Sequence, residues 1–89
     1  MKYHITPKQA QEITEEQFYS LFTNIVPRND WYKYHHKKMD IGKMCDLLGV
    51  LKLYKTSDGL WVANDTHTDK ELVNILWELV KQKILNQEG

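Results

Sequence analysis

Cysteine is almost absent from this chain, because Cys45 is the only one among 89 residues. One cysteine cannot form a disulfide within the chain, and secreted domains of this length usually have several. The sequence also has no apolar run near the roughly 20 residues that a membrane-spanning helix needs, and its first residues lack the core of a signal peptide. We therefore expect a cytoplasmic protein that makes no contact with a membrane.

Excess charge of either sign is absent as well, since 12 basic and 12 acidic side chains give a formal net charge of zero. Overall charge cannot attract nucleic acid or anionic lipid, so any such attraction must be local. The charges are unevenly placed: residues 12–17 contain three glutamates, whereas residues 28–38 contain four basic side chains and one aspartate. This asymmetry either serves binding or reflects separate solvated faces.

Motifs for catalysis and metal binding are also missing. The sequence has no glycine-rich phosphate loop and no nucleophile elbow. Its neighbouring acidic residues fall at turns or helix starts, where acids cap the helix and complement its dipole. Histidine and cysteine do not occur in the closely spaced pairs of a zinc site, and His35 and His36 point to different sides of a helix. We therefore expect no enzyme activity, no metal and no cofactor.

What the sequence does contain is the composition of a folded domain. Hydrophobic residues make up 42% and charged residues 27% of the chain, without the large net charge of a disordered tail. A chain of 89 residues has room for one domain, residues 1–89, with a core of modest size. No linker or repeat divides it.

Capping signals predict the first two helices. Thr6 followed by Pro7 is typical of an N-cap with proline at the first helical position. The sequence Thr14-Glu15-Glu16-Gln17 is a capping box, and apolar residues at helical spacing continue from it to Ile25. Pro27 is expected to end this second helix, because the residue before a proline is pushed out of the helical region.

Two further helices are predicted between residues 29 and 49. Asn29 or Asp30 can cap a third helix. Asp40 is typical of the N-cap of a fourth, and Gly49 stands at its end, where a left-handed backbone is needed. The apolar side chains of this fourth helix are expected in the core; they are Ile41, Met44, Leu47 and Leu48.

Two short runs rich in β-branched and aromatic residues, 50–56 and 60–64, predict a β-hairpin around the turn Ser57-Asp58-Gly59. Either Ser57-Asp58 or Asp58-Gly59 can occupy the centre of the turn. A slip of one residue exchanges the two faces, so the sequence leaves the side on which Trp61 lies undetermined.

Thr68-Asp69-Lys70-Glu71 is typical of a capping box and predicts the start of a long helix over about 69–86. Its apolar arc is wide, so it needs the hairpin on one flank and the second helix on the other, or a second copy of the chain in a homodimer. Together the elements predict an α+β fold: short N-terminal helices, a β-hairpin (about 50–64) and a long C-terminal helix (about 69–86) around one small core.

Residues 28–38 have the most unusual composition, with three aromatic rings, four cationic side chains and two histidines. Such a cluster can stack on nucleic-acid bases while its lysines meet phosphates, or it can form the centre of a protein-binding surface. It can also be a helix that buries its rings: on a helix Trp31, Tyr34 and His35 share a side, so at least one set of rings should be buried. The candidate binding residues are Trp31, Tyr32, Lys33, Tyr34, Lys37 and Lys38.

A DNA-binding helix-turn-helix is a second interpretation of the region around the fourth helix. Residues 39–50 are typical of its first helix, but strand-like residues follow where the recognition helix should be. A winged-helix variant with the hairpin as its wing is the alternative. In that case Lys52 and Lys55 would join the basic residues of 28–38.

The run Val26-Pro27-Arg28-Asn29-Asp30-Trp31-Tyr32-Lys33-Tyr34-His35-His36-Lys37-Lys38-Met39, followed by Ile41-Gly42-Lys43-Met44, resembles a group of small, mostly uncharacterised proteins from phages and prophages of low-GC Gram-positive bacteria. The resemblance implies a mobile-element origin and expression in a bacterial cytoplasm. It assigns no catalytic or binding residue. Proteins of this kind commonly act by binding, often as stoichiometric inhibitors of host or defence machinery.

We therefore expect a non-enzymatic accessory protein that binds another macromolecule, with a bacterial protein as the expected partner. Its contact surface is expected on the exposed part of residues 28–38. The alternative is a small DNA- or RNA-binding regulator that uses the same segment.

Overall fold

The structure is a computed structural model that describes residues 2–49 and 51–88, and within these residues it is an α+β arrangement, as predicted. The helices are α1 (Pro7–Ala10), α2 (Glu15–Ser20), α3 (Trp31–His35), α4 (Ile41–Leu48) and α5 (Leu72–Glu88), and a 3₁₀ turn, His36–Lys38, follows α3. The strands are β1 (Leu53–Lys55), β2 (Trp61–Ala63) and β3 (His67–Asp69). None of the described helices has the length and apolar character that crossing a membrane would require.

The predicted caps of the first helices are confirmed. The Thr6 hydroxyl accepts from the backbone amide of Gln9 at 3.1 Å, and the Gln9 side chain accepts from the amide of Thr6 at 2.9 Å. Thr14 and Gln17 make the same reciprocal pair, at 3.1 and 2.8 Å. Each box supplies partners to backbone donors that a helix start would otherwise leave free.

The prediction that α2 extends to Ile25 is wrong, because α2 ends at Ser20. The amides of Leu21 and Phe22 donate to carbonyls three residues back rather than four, which tightens the last turn and ends the helix. Ile25 is half-buried in the loop that follows. Pro27 therefore lies within that loop and is not the residue that ends α2.

The predicted caps of α4 are confirmed at both ends. The Asp40 carboxylate accepts from the amide of Lys43 at 2.8 Å, and Gly49 follows the helix with a φ of +72°. An extended N-terminal segment holds this start in place, since the Ile41 amide donates to Tyr3 O at 2.9 Å. Met44 is fully buried, whereas the other apolar residues of α4 are half-buried against the core.

The predicted hairpin is present as β1 and β2, which are antiparallel with Lys55 opposite Trp61. Residue 50, where the first run was expected to begin, lies outside the described residues. The Gly59 amide donates to Thr56 O at 3.1 Å, which places Ser57-Asp58 at the centre of the turn, and Gly59 follows with a φ of +87°. This register places Trp61 on the face of the sheet that packs against α5.

The prediction that Thr68 caps the C-terminal helix is wrong, because Thr68 lies in β3 opposite Val62 of β2. Asn64 and Asp65 both have positive φ, 54° and 59°, and turn the chain back so that a third strand pairs with β2. The long helix then begins at Leu72 rather than near residue 69. The residues that the local sequence pattern assigned to a helix cap therefore form a strand that pairs with β2.

The wide apolar arc of α5 is covered within one chain. One side packs with residues of α2, α3 and α4, including Phe18, Trp31 and Met44. The other side, Ile75 and Leu79, packs with Ala63 of the sheet and with half-buried residues next to it. The buried residues of the helix are Leu72, Val73, Ile75, Leu76, Trp77, Leu79, Val80 and Ile84.

Trp77 lies at the centre of this core with no exposed surface. Its indole Nε1 donates to Glu12 Oε1 at 2.8 Å, and Lys81 Nζ donates to the same oxygen at 2.8 Å. Lys81 also pairs with Glu78 at 2.8 Å. Glu12 therefore satisfies the polar edge of a buried ring and ties the segment between α1 and α2 to α5.

We predict that Glu12→Ala lowers the free energy of unfolding by about 1–3 kcal/mol, because it leaves the buried Trp77 N–H without an acceptor. Glu12→Gln should cost less, since its amide oxygen can still accept from the ring. Urea denaturation measures both values. Glu16→Ala is the matched control, because Glu16 is exposed; a loss for Glu12→Ala no greater than that of the control would contradict the role given to Glu12.

The pKa of Glu12 lies below its ordinary value of 4.5. Burial raises this pKa. Hydrogen bonds from Lys81 and Trp77 and the charge of Lys81 lower it by a larger amount, so the net shift is downward. Because the pKa is lower in the folded state, the charged form adds stability that is fully present above the ordinary value and is lost as pH falls through the lowered one.

We therefore predict that the stability difference between the native chain and Glu12→Gln is constant near neutral pH and shrinks as pH falls below 4.5. The glutamine cannot titrate, so the shrinking part reports the carboxylate. The Glu12 side chain is 43% exposed, so this part should be no more than about 1 kcal/mol. Urea denaturation at a series of pH values measures it, and a difference that does not change with pH would disprove the charge effect.

Candidate interaction surface

Helix α3 is short, and the core rather than a side-chain cap fixes its position. Asp30 is at the N-cap but makes no side-chain cap hydrogen bond, so the predicted cap is backbone only. Trp31 is 7% exposed, and its ring centroid lies 4.9 Å from that of Phe18 and 6.3 Å from that of Tyr19. The first residue of α3 is therefore an aromatic anchor in the core.

The two histidines that follow are buried and bound to backbone carbonyls. His35 Nε2 lies 3.0 Å from Val26 O, and His36 Nδ1 lies 3.0 Å from Tyr32 O. A carbonyl only accepts, so in each case the ring nitrogen is the donor. His35 thereby joins α3 to the loop between α2 and α3, and His36 stabilises the turn in which it lies.

Tyr19 fixes the same loop from the other side. Its hydroxyl accepts from the Arg28 amide at 2.9 Å and donates to the Arg28 carbonyl at 3.3 Å. Desolvation raises the pKa of this phenol above its ordinary value of 10.0, and Glu15 and Asp30 raise it further, so at neutral pH the hydroxyl keeps the proton that it donates. The backbone of Arg28 is therefore bound at both its N–H and its C=O.

This arrangement leaves one exposed face, which we call the loop–helix surface. On the loop, Val26 is 71% exposed, and on α3 Tyr34 is 54% exposed. Lys33, Lys37 and Lys38 are exposed as well, and Lys37 and Lys38 follow Tyr34 by three and four residues through α3 and the 3₁₀ turn. The residues of the loop–helix surface are Val26, Pro27, Arg28, Lys33, Tyr34, Lys37 and Lys38, and all are exposed.

Arg28 and Tyr34 form the centre of the loop–helix surface. The guanidinium carbon of Arg28 lies 3.6 Å from the centroid of the Tyr34 ring, which is a close cation–π contact. Arg28 Nε also donates to Asp30 Oδ1 at 3.3 Å, in an ion pair whose side chains are 44% and 43% exposed. An ion pair this exposed adds little stability, but it helps to orient the guanidinium.

Three cations of the loop–helix surface have no acidic partner within the part of the chain that the structure describes. Among the described residues, no carboxylate lies within 4.0 Å of Lys33, Lys37 or Lys38. Lys52 on the sheet pairs with Asp65 at 2.7 Å, and Lys81 pairs with two glutamates. Residues 28–38 therefore carry four cationic side chains against one carboxylate, that of Asp30, although the chain as a whole is neutral.

The structure divides the six candidate residues of the sequence. Lys33, Tyr34, Lys37 and Lys38 are exposed and form part of the loop–helix surface as defined above. Trp31 lies in the core and so is not available as an exposed anchor, which corrects its assignment. Tyr32 is half-buried, with its ring against Trp31 in an edge-to-face contact at 5.8 Å.

Sequence reasoning did not select Val26, Pro27 and Arg28 as site residues. Their position depends on hydrogen bonds from residues distant in the sequence: Tyr19 binds the backbone of Arg28, and His35 binds the carbonyl of Val26. For Val26 and Pro27 the local signal was the X-Pro step, which favours an extended backbone. That signal indicates a loop but not the helix on which the loop packs.

Metal ligands, the thiol of Cys45 and a cavity are the features of the described residues that bear on catalysis. No group of three or more His, Cys, Asp or Glu side chains among them is placed to hold a metal ion. Burial raises the pKa of the Cys45 thiol above its ordinary value and Asp46 raises it further, so the thiol is a poor nucleophile at neutral pH. A cavity of about 210 Å³ between α2, α4 and α5 is smaller than the roughly 300–1,000 Å³ of a typical ligand pocket.

Comparison with protein families, with curated proteins and with solved structures gave no match for this chain. The loop–helix surface is therefore defined by its own geometry and charge. It combines a stacked Arg–Tyr pair, uncompensated lysines and exposed apolar groups on an anchored backbone. Arginine and tyrosine are both enriched at the centres of protein–protein contacts.

We predict that Trp31→Ala and Tyr34→Ala differ strongly in stability. Trp31→Ala should cost about 3–5 kcal/mol, because it leaves a cavity beside Phe18. Tyr34→Ala should cost no more than about 1 kcal/mol, because it removes only an exposed cation–π contact. Thermal unfolding measures both, and Trp31→Phe, which keeps a ring in the core, should fall between them. Equal losses for the two alanine variants would contradict the division of residues 28–38 into a buried and an exposed side.

Proposed function

We propose that this chain is a non-enzymatic accessory protein of the phage or prophage type, which acts in the bacterial cytoplasm by binding another protein through the loop–helix surface. The observation that carries the proposal is the Arg28–Tyr34 stack beside Lys33, Lys37 and Lys38, three cations without an acidic partner among the described residues. Charge complementarity makes an acidic face the expected contact on the partner.

The anchored backbone supports this proposal. Binding costs less conformational entropy when the groups that make the contact are already held in place. Tyr19 holds the Arg28 backbone, His35 holds Val26 O, and Trp31 holds the start of α3. The side chains on this face are thus presented by a fixed backbone.

A nucleic-acid regulator is the second candidate, and the unpaired lysines are the observation that favours it. Fewer aromatic rings are available to stack on nucleic-acid bases than the sequence indicated. Trp31 is buried, Tyr32 packs against it, and one face of the Tyr34 ring is occupied by the guanidinium of Arg28. Lys52 is neutralised by Asp65. A protein partner uses the same charges without needing free ring faces, and we therefore prefer it.

The resemblance of residues 26–44 to small phage and prophage proteins narrows the class of partner. Proteins of that kind commonly act on host or defence machinery by stoichiometric binding. We therefore propose a bacterial protein as the partner and inhibition as the outcome of binding.

We predict that replacing Lys33, Lys37 and Lys38 together by alanine weakens binding to the protein partner by at least about tenfold, mainly by slowing association. The experiment captures the partner from bacterial lysate on the immobilised chain, purifies the complex, and measures its stoichiometry by light scattering and its affinity by calorimetry.

The matched control replaces Lys8, Lys70 and Lys83, which are also exposed and belong to neither candidate binding set, so that net charge changes equally. Retention of affinity in the control with loss in the lysine variant supports the proposal. Equal losses would mean that only overall charge matters. Should the chain instead shift random DNA or RNA, with a salt dependence that the lysine variant reduces, the nucleic-acid candidate replaces the protein binder.

A further inference from the structure

The guanidinium of Arg28 has an unused hydrogen-bonding edge. Its Nε donates to Asp30, but among the described residues no acceptor takes a hydrogen bond from its two terminal nitrogens. The side chain is 44% exposed, and its flat face lies on the Tyr34 ring at 3.6 Å. The terminal nitrogens of a guanidinium form a planar fork that matches the two oxygens of a carboxylate.

Contacts on three sides fix this fork. Tyr19 binds the backbone N–H and C=O of Arg28, Tyr34 supports the guanidinium face, and Asp30 binds Nε. A free arginine on a surface loses much side-chain entropy when it binds. Arg28 has already lost part of that freedom in the unbound protein, so less is lost on binding.

We infer that Arg28, held between Tyr34 and Asp30, is a receptor for one carboxylate side chain of the partner and binds it through two parallel hydrogen bonds. Lys33, Lys37 and Lys38, which are exposed in the same segment of the chain, receive further acidic side chains of the partner. The partner surface is therefore a protein segment with several Asp or Glu residues. This inference rests on the proposed protein-binding function and names the chemistry that the partner must present.

Asp30 places a negative charge beside the fork. Its Oδ1 lies 3.3 Å from Arg28 Nε, so a ligand on the fork approaches a fixed negative charge. Attraction to Arg28 and the lysines and repulsion from Asp30 both grow with the charge of the ligand. Because the proposed partner is a protein, the anionic groups that its unmodified side chains offer are the carboxylates of Asp and Glu.

The experiment titrates a fluorescently labelled polyglutamate peptide with the full chain and follows anisotropy. Arg28→Lys keeps the charge but loses the fork and the flat stacking surface. It should weaken binding about tenfold, whereas Lys8→Ala, an exposed control, should not change it. Asp30→Asn removes the competing charge and should strengthen binding. Near-ultraviolet circular dichroism confirms that each variant is folded.

Each opposite result overturns the inference. Equal affinity of Arg28→Lys and the native chain means that charge alone binds the peptide, and an absence of polyglutamate binding means that there is no receptor. Weaker binding by Asp30→Asn excludes the competition described above. A phosphoserine peptide that binds more tightly than polyglutamate excludes the choice of a carboxylate. Self-association that Arg28→Lys abolishes, seen by light scattering, would assign the fork to glutamates of a second copy.

These outcomes are distinct from failure of the proposed function. One outcome is that Arg28→Lys binds both polyglutamate and the captured partner normally while the lysine variant loses the partner. In that case the inference about Arg28 is wrong, and the proposed protein-binding surface is supported. If polyglutamate binding depends on Arg28 but the lysine variant keeps its protein partner, the carboxylate receptor stands and the proposed binding surface is wrong.

Discussion

The structure depends on covering the apolar arc of α5. Burying such an arc is the main favourable term available to a domain of this length, whose core is small. The sheet covers one side, and residues of α2, α3 and α4 cover the other. The polar edge of Trp77, in the middle of the arc, requires Glu12 as an acceptor. The chain between α1 and α2 is thereby fixed, and α2 is brought to the position where Phe18 meets Trp31.

This constraint explains why the loop–helix surface is exposed. Helix α3 contributes one anchor, Trp31, to the shared core, and its other side is not needed to cover α5. The charged and aromatic residues that follow can therefore face solvent without leaving a gap in the core. The backbone beneath them is nevertheless bound, by Tyr19 and His35. The packing of the core therefore leaves three lysines without an ion pair to any described residue, on a backbone that hydrogen bonds hold in place.

The parts of the fold that could be predicted from the sequence are those fixed by neighbours in the chain. Thr6, Thr14 and Asp40 each bond a backbone amide three residues away, so their roles could be recognised locally. Thr68 carries the same signal, but pairing with β2 overrides it, because Asn64 and Asp65 turn the chain back to the sheet. A helix cap depends on four consecutive residues. A strand also needs a pairing partner elsewhere in the chain, which the local sequence pattern does not identify.

The candidate surface was predictable in composition but not in orientation. Residues 28–38 have rings at spacings that suit more than one helix face, and the change from α3 to a 3₁₀ turn at His36 disturbs the spacing further. Which rings are buried is decided by Phe18 and Tyr19, which lie on another helix. Arg28 was visible as one of four cations, but its role depends on Tyr19 and Tyr34, which hold it from two sides.

The size of the chain sets a further limit on how this surface can work. Its accessible surface is 5774 Å², and a standard interface takes about 800 Å² from each partner, or roughly a seventh of that area. The seven residues of the loop–helix surface alone are fewer than the roughly 20–30 that such an interface contributes on each side. A stable complex must therefore extend over neighbouring parts of the chain. In the complex that we propose, the lysines act mainly on the rate of encounter, and the Arg28–Tyr34 pair acts on the lifetime of the complex.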